Sequence, residues 1–152
     1  MPAYNASAFI REAVDSILGQ TFGAFELIIL NDGSTDDTQA IVESYDDQRI
    51  RLINKSNSGV ASTLNEGLKL AEGEFIWRHD ADDISLPNKL ERQIQFMDDH
   101  PEFDLCATQV AFMTERGKVA WEKRQPKTPW FENEPYREVF FEDFSPYSPI
   151  TH

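Results

Sequence analysis

Three carboxylates close the run Phe75-Ile76-Trp77-Arg78-His79-Asp80-Ala81-Asp82-Asp83. Along an extended backbone, side chains i and i+2 point the same way. The spacing therefore predicts Asp80 and Asp82 on one side of a strand end, with Asp83 turned away. Two carboxylates held that close repel each other unless a cation lies between them. A hard divalent ion such as Mg²⁺ or Mn²⁺ takes one or two carboxylates and completes its shell with water and phosphate oxygens. The chemistry indicated is a metal–diphosphate site with Asp82 and Asp80 as ligands. The competing reading is a solvated acidic turn. Arg78 reads as an ion-pair partner of Asp83 or Glu74, and His79, which shares Asp83's side, as structural.

A second group of candidates follows the apolar run Phe25-Glu26-Leu27-Ile28-Ile29-Leu30. Asp32 sits where that run ends, placed to accept a hydrogen bond from the ring N–H of a base such as uracil. Tyr4 can stack on a base or ribose, and Gly33 and Ser34 let the backbone approach closely. Gly59 opens a helix and offers N–H groups to a phosphate. The plain alternatives are an Asx-turn for Asp32 and an ordinary helix entry for Gly59.

These residues need a scaffold that brings them together. Met1 to Asn5 reads as the exit of a strand. Residues 6 to 22 read as a helix capped by Asn5 or Ser7, with Phe9, Ile10, Ala13, Val14, Ile17 and Leu18 on one face. Residues 25 to 30 form a strand apolar on both faces, as a parallel sheet requires. A helix capped by Thr35 or Asp36 runs to about Tyr45, followed by a short strand over 50 to 53. The Gly59 helix runs to Ala71 and stops at Gly73, and residues 74 to 79 form a fourth strand. Ser85 caps a further helix with Pro87 in its first turn, ending before Pro101. Residues 103 to 113 are strand-like and pair with 119 to 121 as a hairpin. From Lys123 to His152, prolines and aromatics interleave in an irregular segment too aromatic for a disordered tail.

Strands alternating with helices give an α/β class with a mostly parallel, Rossmann-like sheet flanked by helices. The expected division is a nucleotide-sized α/β domain over 1–122, with 123–152 an irregular continuation of the same domain. In such sheets ligands bind beyond the carboxyl ends of the strands. All four polar clusters, at 2–5, 31–34, 54–59 and 80–83, fall there. Their co-location favours the metal site over the acidic turn.

Composition narrows the class. The chain has 152 residues and a net charge of −13, from 27 acids and 14 bases. That balance argues against holding nucleic acid by phosphate neutralisation and against a polybasic membrane anchor. A polyanion would need a cation to offset the field. Cys106, the single cysteine, lies in an apolar run and reads as a buried, inert thiol. With no signal peptide and no apolar stretch of spanning length, the expected place is the cytoplasm.

Two look-alikes fail. Asp80, Asp82 and Glu91 imitate positions of a calcium EF-hand loop, but Ile84 occupies a ligand position and Ser85 the turn glycine. The acid pair also imitates aspartate-nucleophile phosphatases, which want it after the first strand with Thr or Val two residues on. A sugar-phosphate nucleotidyltransferase would want a Gly-rich basic loop after the first strand, and residues 2 to 11 contain no glycine.

Four blocks together resemble a family 2 glycosyltransferase of the GT-A fold. Pro2-Ala3-Tyr4-Asn5 is similar to that family's P-x-Y-N. Asn31-Asp32-Gly33-Ser34-Thr35-Asp36 resembles its D-D-G-S-x-D, with Asn31 replacing the first Asp. Residues 57 to 67 resemble its N-x-G-x-x-x-x-x-N-x-G helix, and Asp80-Ala81-Asp82-Asp83 its D-x-D. The resemblance implies that Pro2, Ala3, Tyr4 and Asp32 hold the nucleotide base. It places Asp80 near the ribose or the metal, and makes Asp82 the ligand of Mg²⁺ or Mn²⁺ on the donor diphosphate. It implies an inverting, metal-dependent transfer from a UDP-sugar to a hydroxyl on a saccharide or lipid-linked acceptor, in polysaccharide or lipopolysaccharide assembly. Such a reaction needs a general base. In this family the base is usually the Asp of an E-D pair, and Glu142-Asp143 is such a pair, although it precedes the Ser148-to-His152 segment that resembles the start of the acceptor half.

Against that family the chain reads as truncated at the first strand and at the acceptor half. The enzyme reading therefore stands beside that of a non-catalytic nucleotide-binding module lacking its base. The aromatics after Lys123 fit packing on a second copy, peripheral contact at the inner face of a membrane with its acceptor, or the interface of a missing half.

Overall fold

The structure, a computed structural model, describes residues 1–108 and 144–147. It divides into two compact units, Met1–Glu91 and Arg92–His152. The expected division at residue 122 falls outside the described residues.

The first unit is a three-stranded parallel sheet in the order β1 (Pro2–Ala3), β2 (Leu27–Asp32), β3 (Ile50–Lys55). Helices α1 (Ile10–Leu18), α2 (Thr38–Glu43) and α3 (Val60–Leu70) connect or follow the strands. β2 lies in the middle and every residue of it is buried. Its alternation divides the core. Leu27 and Ile29 join Ile10, Val14, Ile17 and Val42 beneath α1 and α2. Leu30 faces α3, where Gly67 comes so close that a Cβ there would lie 3.1 Å from a Leu30 methyl. The continuous apolar run is thus explained by helices on both faces.

Several boundaries differ from the sequence expectation, for local reasons. α1 starts at Ile10, not near residue 6, because the preceding backbone is tied to the β2–α2 loop. Asn5 N–H donates to Ser34 Oγ, Ala6 N–H to Thr38 Oγ1 and Ser7 N–H to Asp36 Oδ2. Asn5 Oδ1 accepts from the Thr35 N–H instead of capping a helix, and Asn5 takes a positive φ of 49°, a conformation asparagine tolerates. α2 runs only from Thr38 to Glu43; Asp36 accepts from the Thr38 N–H just ahead of it. β3 is longer than expected and reaches Lys55. α3 ends at Leu70, ahead of Gly73.

The expected fourth strand over 74–79 is not formed. Phe75 and Ile76 are instead 40% and 58% exposed. α4 (Lys89–Asp99) likewise begins after Pro87, not at Ser85. The segment before it is held by α1. Ser16 Oγ accepts from the Ser85 N–H. Gln20, 7% exposed, donates to the Leu86 carbonyl and accepts from the Leu90 N–H.

In the second unit, β4 (Leu105–Thr108) pairs antiparallel with β5 (Phe144–Tyr147). β5 lies in the stretch expected to be irregular; residues 119–121 lie outside the described residues. Phe96 stacks on Phe103 at 6.0 Å. Cys106 is half-buried, and burial pushes its thiol above the ordinary range. Among the described residues no helix is long and apolar enough to cross a membrane.

Two substitutions test this packing. Ile29→Ala removes a fully buried side chain from the central strand and is expected to cost about 2–5 kcal/mol. Val60→Ala, at 60% exposure, is expected to stay within about 0.5 kcal/mol; urea denaturation midpoints check both. Gly33 has a φ of 75°, and a Cβ there would lie 2.8 Å from the Asn57 backbone nitrogen. Gly33→Ala is expected to destabilise by more than about 1 kcal/mol in the same assay.

Candidate functional site

The parallel pairing sends the ends of all three strands to one edge. Register sets Pro2 opposite Leu30 and Ala3 opposite Asn31, and Asp32 opposite Lys55. Ala3 is buried, and Tyr4, the residue after it, is 54% exposed. Asn31 donates its amide to Asn54 Oδ1 at 2.8 Å and accepts from the Ser34 N–H at 3.1 Å. An ionised aspartate could not make the first of these bonds, which accounts for asparagine at this position.

Asp32 is 4% exposed. Its Oδ1 accepts from Lys55 Nζ at 2.8 Å and from the Ser58 N–H at 2.9 Å, and its Oδ2 from the Gly59 N–H at 2.9 Å. Gly59 is the N-cap of α3, so the carboxylate faces the positive end of that helix. Burial pushes the Asp32 pKa up, but Lys55, the Ser58 and Gly59 N–H groups and the Thr63 hydroxyl more than offset this and hold it at about 2. The Gly59 N–H, expected to face a phosphate, is here committed to Asp32. Asn57 Nδ2 donates to the Asp32 carbonyl, which fastens the β3–α3 loop to the end of β2.

The second cluster lies on the irregular segment that replaces the expected strand. The guanidinium of Arg78 pairs with Asp80 through both carboxylate oxygens, at 2.9 and 2.8 Å. That corrects the expected pairing with Asp83 or Glu74. Without a strand, the i and i+2 rule does not apply, and Asp80 is half-buried while Asp82 and Asp83 are exposed. The Asp83 N–H donates to the Asp80 carbonyl, closing a turn.

His79 is 5% exposed and serves this turn structurally. Its Nδ1 lies 2.8 Å from the Asp80 carbonyl oxygen and its Nε2 3.0 Å from Ser85 Oγ. A carbonyl only accepts, so Nδ1 carries the proton and Nε2 accepts from the serine hydroxyl. Trp77 packs edge-on against the ring at 5.1 Å. Burial holds the His79 pKa below its ordinary value; the Asp80 carbonyl bond opposes this, nearby Lys89 adds to it and Asp83 opposes it.

Among the described residues, no three His, Cys, Asp or Glu side chains gather closely enough to cage a metal ion. The donor set still suits one kind of ion. Asp80 and Asp82 offer only hard oxygens, which fit a Mg²⁺ or Mn²⁺ that binds one or two carboxylates and a ligand's phosphates. Binding there would require Asp80 to exchange the Arg78 guanidinium for the ion. Asp143 lies outside the described residues.

The sequence reading passed over Lys55, placed in a polar loop, and Gln20, placed within the helix expected over 6–22. The available signal for Lys55 was register: two parallel strands of equal length bring their terminal charges opposite each other. Gln20 gave no signal, because its partners lie 66 and 70 residues away.

The glycosyl transferase family 2 profile matches residues 1–148. The putative glycosyltransferase EpsE of Bacillus subtilis is 38% identical over 121 residues, covering 77% of this chain and 44% of that protein. An Escherichia coli protein, UDP-Glc:alpha-D-GlcNAc-diphosphoundecaprenol beta-1,3-glucosyltransferase WfgD, is 43% identical over 98 residues, covering 64% of this chain and 39% of its own length. Among solved structures, S. aureus TarS 1–349 in complex with UDP superposes with a TM-score of 0.67 at 29% identity, over 83% of this chain and 38% of that one. The chain thus spans less than half the length of these relatives. Its parallel sheet flanked by helices is the GT-A arrangement of the amino-terminal part of such proteins, and the chain belongs to glycosyl transferase family 2.

Proposed function

We propose that this chain is the donor-binding part of a glycosyltransferase that moves a sugar from a UDP-sugar to a hydroxyl acceptor during assembly of a cell-surface polysaccharide. The single observation that carries the reading is the convergence of Tyr4, Asp32 and the β3–α3 loop at the carboxyl edge of one parallel sheet. The UDP in the TarS complex and the sugar nucleotide in the name of the E. coli relative support the choice of donor.

In this reading the backbone of Pro2 and Ala3 and the exposed ring of Tyr4 bed the uracil and ribose. Asp32 Oδ2, which already takes the Gly59 N–H, accepts the ring N–H of the base. Gly59, so committed, shapes the loop near the phosphates. Asp80 would lie near the ribose or the metal, and Asp82 would hold a divalent ion, Mg²⁺ or Mn²⁺, for the donor diphosphate. That ion would supply charge stabilisation for the departing UDP, so that the leaving group needs no general acid. Arg78, once released from Asp80, is a cation placed near the same oxygens. The acceptor hydroxyl attacks the anomeric carbon from the opposite face, inverting it, and gives its proton to a base. Asp143 is the carboxylate that this chain offers for that role.

Calorimetric titration of UDP, with and without Mn²⁺, tests the reading on the wild type and on Asp82→Ala. The expected result is metal-dependent binding that weakens by at least about tenfold in the variant. Binding indifferent to both metal and Asp82 would identify residues 80–83 as an acidic turn and overturn the metal assignment.

A further inference from the structure

The Lys55 ammonium is the cation that pairs with the candidate base-binding carboxylate. Its side chain is 14% exposed. It lies 2.8 Å from Asp32 Oδ1, 3.7 Å from Glu66 Oε2 and 3.4 Å from Thr63 Oγ1, and it also donates to Ser58 Oγ and to the Ser56 carbonyl. An ammonium has three donors, and these acceptors use all of them. Lys55 is therefore poorly suited to bind a phosphate directly. A buried ion pair is also a weak device for stability, since an apolar pair of similar size often does as well. What the pair does achieve is electrostatic: a carboxylate in a buried site tends to take up a proton, and this one is kept ionised.

The two oxygens of Asp32 are not equivalent. Oδ1 takes Lys55, the Ser58 N–H and, at 3.4 Å, the Ser58 hydroxyl. Oδ2 takes the Gly59 N–H. A carboxylate has about four acceptor sites; the Lys55 and Ser58 bonds fall on Oδ1 and the Gly59 bond on Oδ2, with the Thr63 hydroxyl a further donor to the carboxylate. The charged groups of the network are Lys55 from β3 and Glu66 from α3. Ser58, Gly59 and Thr63 add neutral donors, and the end of β1 brings Tyr4.

We propose that Lys55 is a positioning residue of the donor site: braced by Glu66 and Thr63, it fixes Asp32 through Oδ1 and keeps it an anion, so that Oδ2 selects a base with a ring N–H over one without. The inference rests on the donor-site reading above. It makes Lys55 a specificity determinant that touches neither base nor phosphate. Uracil presents N3–H, whereas cytosine presents a bare acceptor at that position and is repelled by a fixed carboxylate. A carboxyl free to protonate would instead offer cytosine a donor.

The test measures UDP and CDP affinities by calorimetry between pH 5.5 and 8, on wild type, Lys55→Arg and Lys55→Met, with near-ultraviolet circular dichroism to check folding. The two nucleotides share one diphosphate, so its titration cancels in their ratio. The wild type is expected to prefer UDP by a factor constant across this range. In Lys55→Met the preference should fall by at least about tenfold, and further as pH falls, while Lys55→Arg restores it. A wild type that binds neither nucleotide overturns the donor-site reading and this inference with it. A wild type that prefers UDP, beside a Lys55→Met that keeps the same preference, overturns this inference alone. Should Lys55→Met fail to fold, carboxyl NMR titration of wild-type Asp32 decides. A transition near pH 2 supports the proposal; a transition within the ordinary aspartate range or above overturns it.

Discussion

The parallel pairing of β2 between β1 and β3 is the constraint on which the first unit depends. A central parallel strand must bury both faces, and here each face is met by helices, α1 and α2 on one side and α3 on the other. Parallel pairing also forces every strand to end at the same edge. The loops after β1, β2 and β3 are thereby placed side by side, and they bond to one another more than to themselves. Asn5 and Ser7 reach the β2–α2 loop, and Asn57, Ser58 and Gly59 reach Asp32. A nucleotide-sized edge follows from the topology before any particular side chain is considered.

The edge is built from acids in a chain that is already strongly negative, and each buried or half-buried carboxylate there is matched locally. Asp32 has Lys55 and the amino end of α3. Asp36 has the Ser7 N–H and the Thr38 hydroxyl, and although burial opposes it, these bonds hold its pKa well below the usual carboxylate range. Asp80 has Arg78. The exposures differ, and so do the expected energies: the Lys55–Asp32 pair is 14% and 5% exposed, the Arg78–Asp80 pair 62% and 39%. An exposed pair is worth at most about 1 kcal/mol, so Arg78 is an exchangeable partner, whereas Lys55 is part of the framework. That asymmetry suits a site in which the base-binding carboxylate is preset and the metal-binding one is filled only with ligand.

Much of this was legible from periodicity. Ile10, Ala13, Val14 and Ile17 recur at helical spacing and form the buried face of α1, and the unbroken run at 27–30 declared a strand covered on both sides. Three of the four polar clusters, at 2–5, 31–34 and 54–59, were legible as a set because topology brings strand ends together; the fourth, at 80–83, follows no strand. Residues 74–79 carried the same apolar signal but form no strand; strand propensity is a weak guide without its tertiary context. The start of α1 shifted because Asn5, read as a cap, bonds to the β2–α2 loop instead, whereas Asp36 accepts from the Thr38 N–H at the start of α2 as well as from Ser7. Lys55 was legible only through register, which sets it opposite Asp32, whereas Gln20 holds the segment before α4 through contacts 66 and 70 residues away along the chain, which no local pattern encodes.

The central claim is that a divalent ion joins Asp80 and Asp82 to the diphosphate of a nucleotide held at the sheet edge. Backbone amide relaxation measured by NMR, as Mn²⁺ is added to the chain loaded with UDP, tests it most directly. Broadening should centre on residues 80–83, extend more weakly to Tyr4 and Gly33, and require UDP. Broadening that needs no nucleotide, or that settles on other acids such as Asp46 or Asp98 while sparing 80–83, would contradict the account.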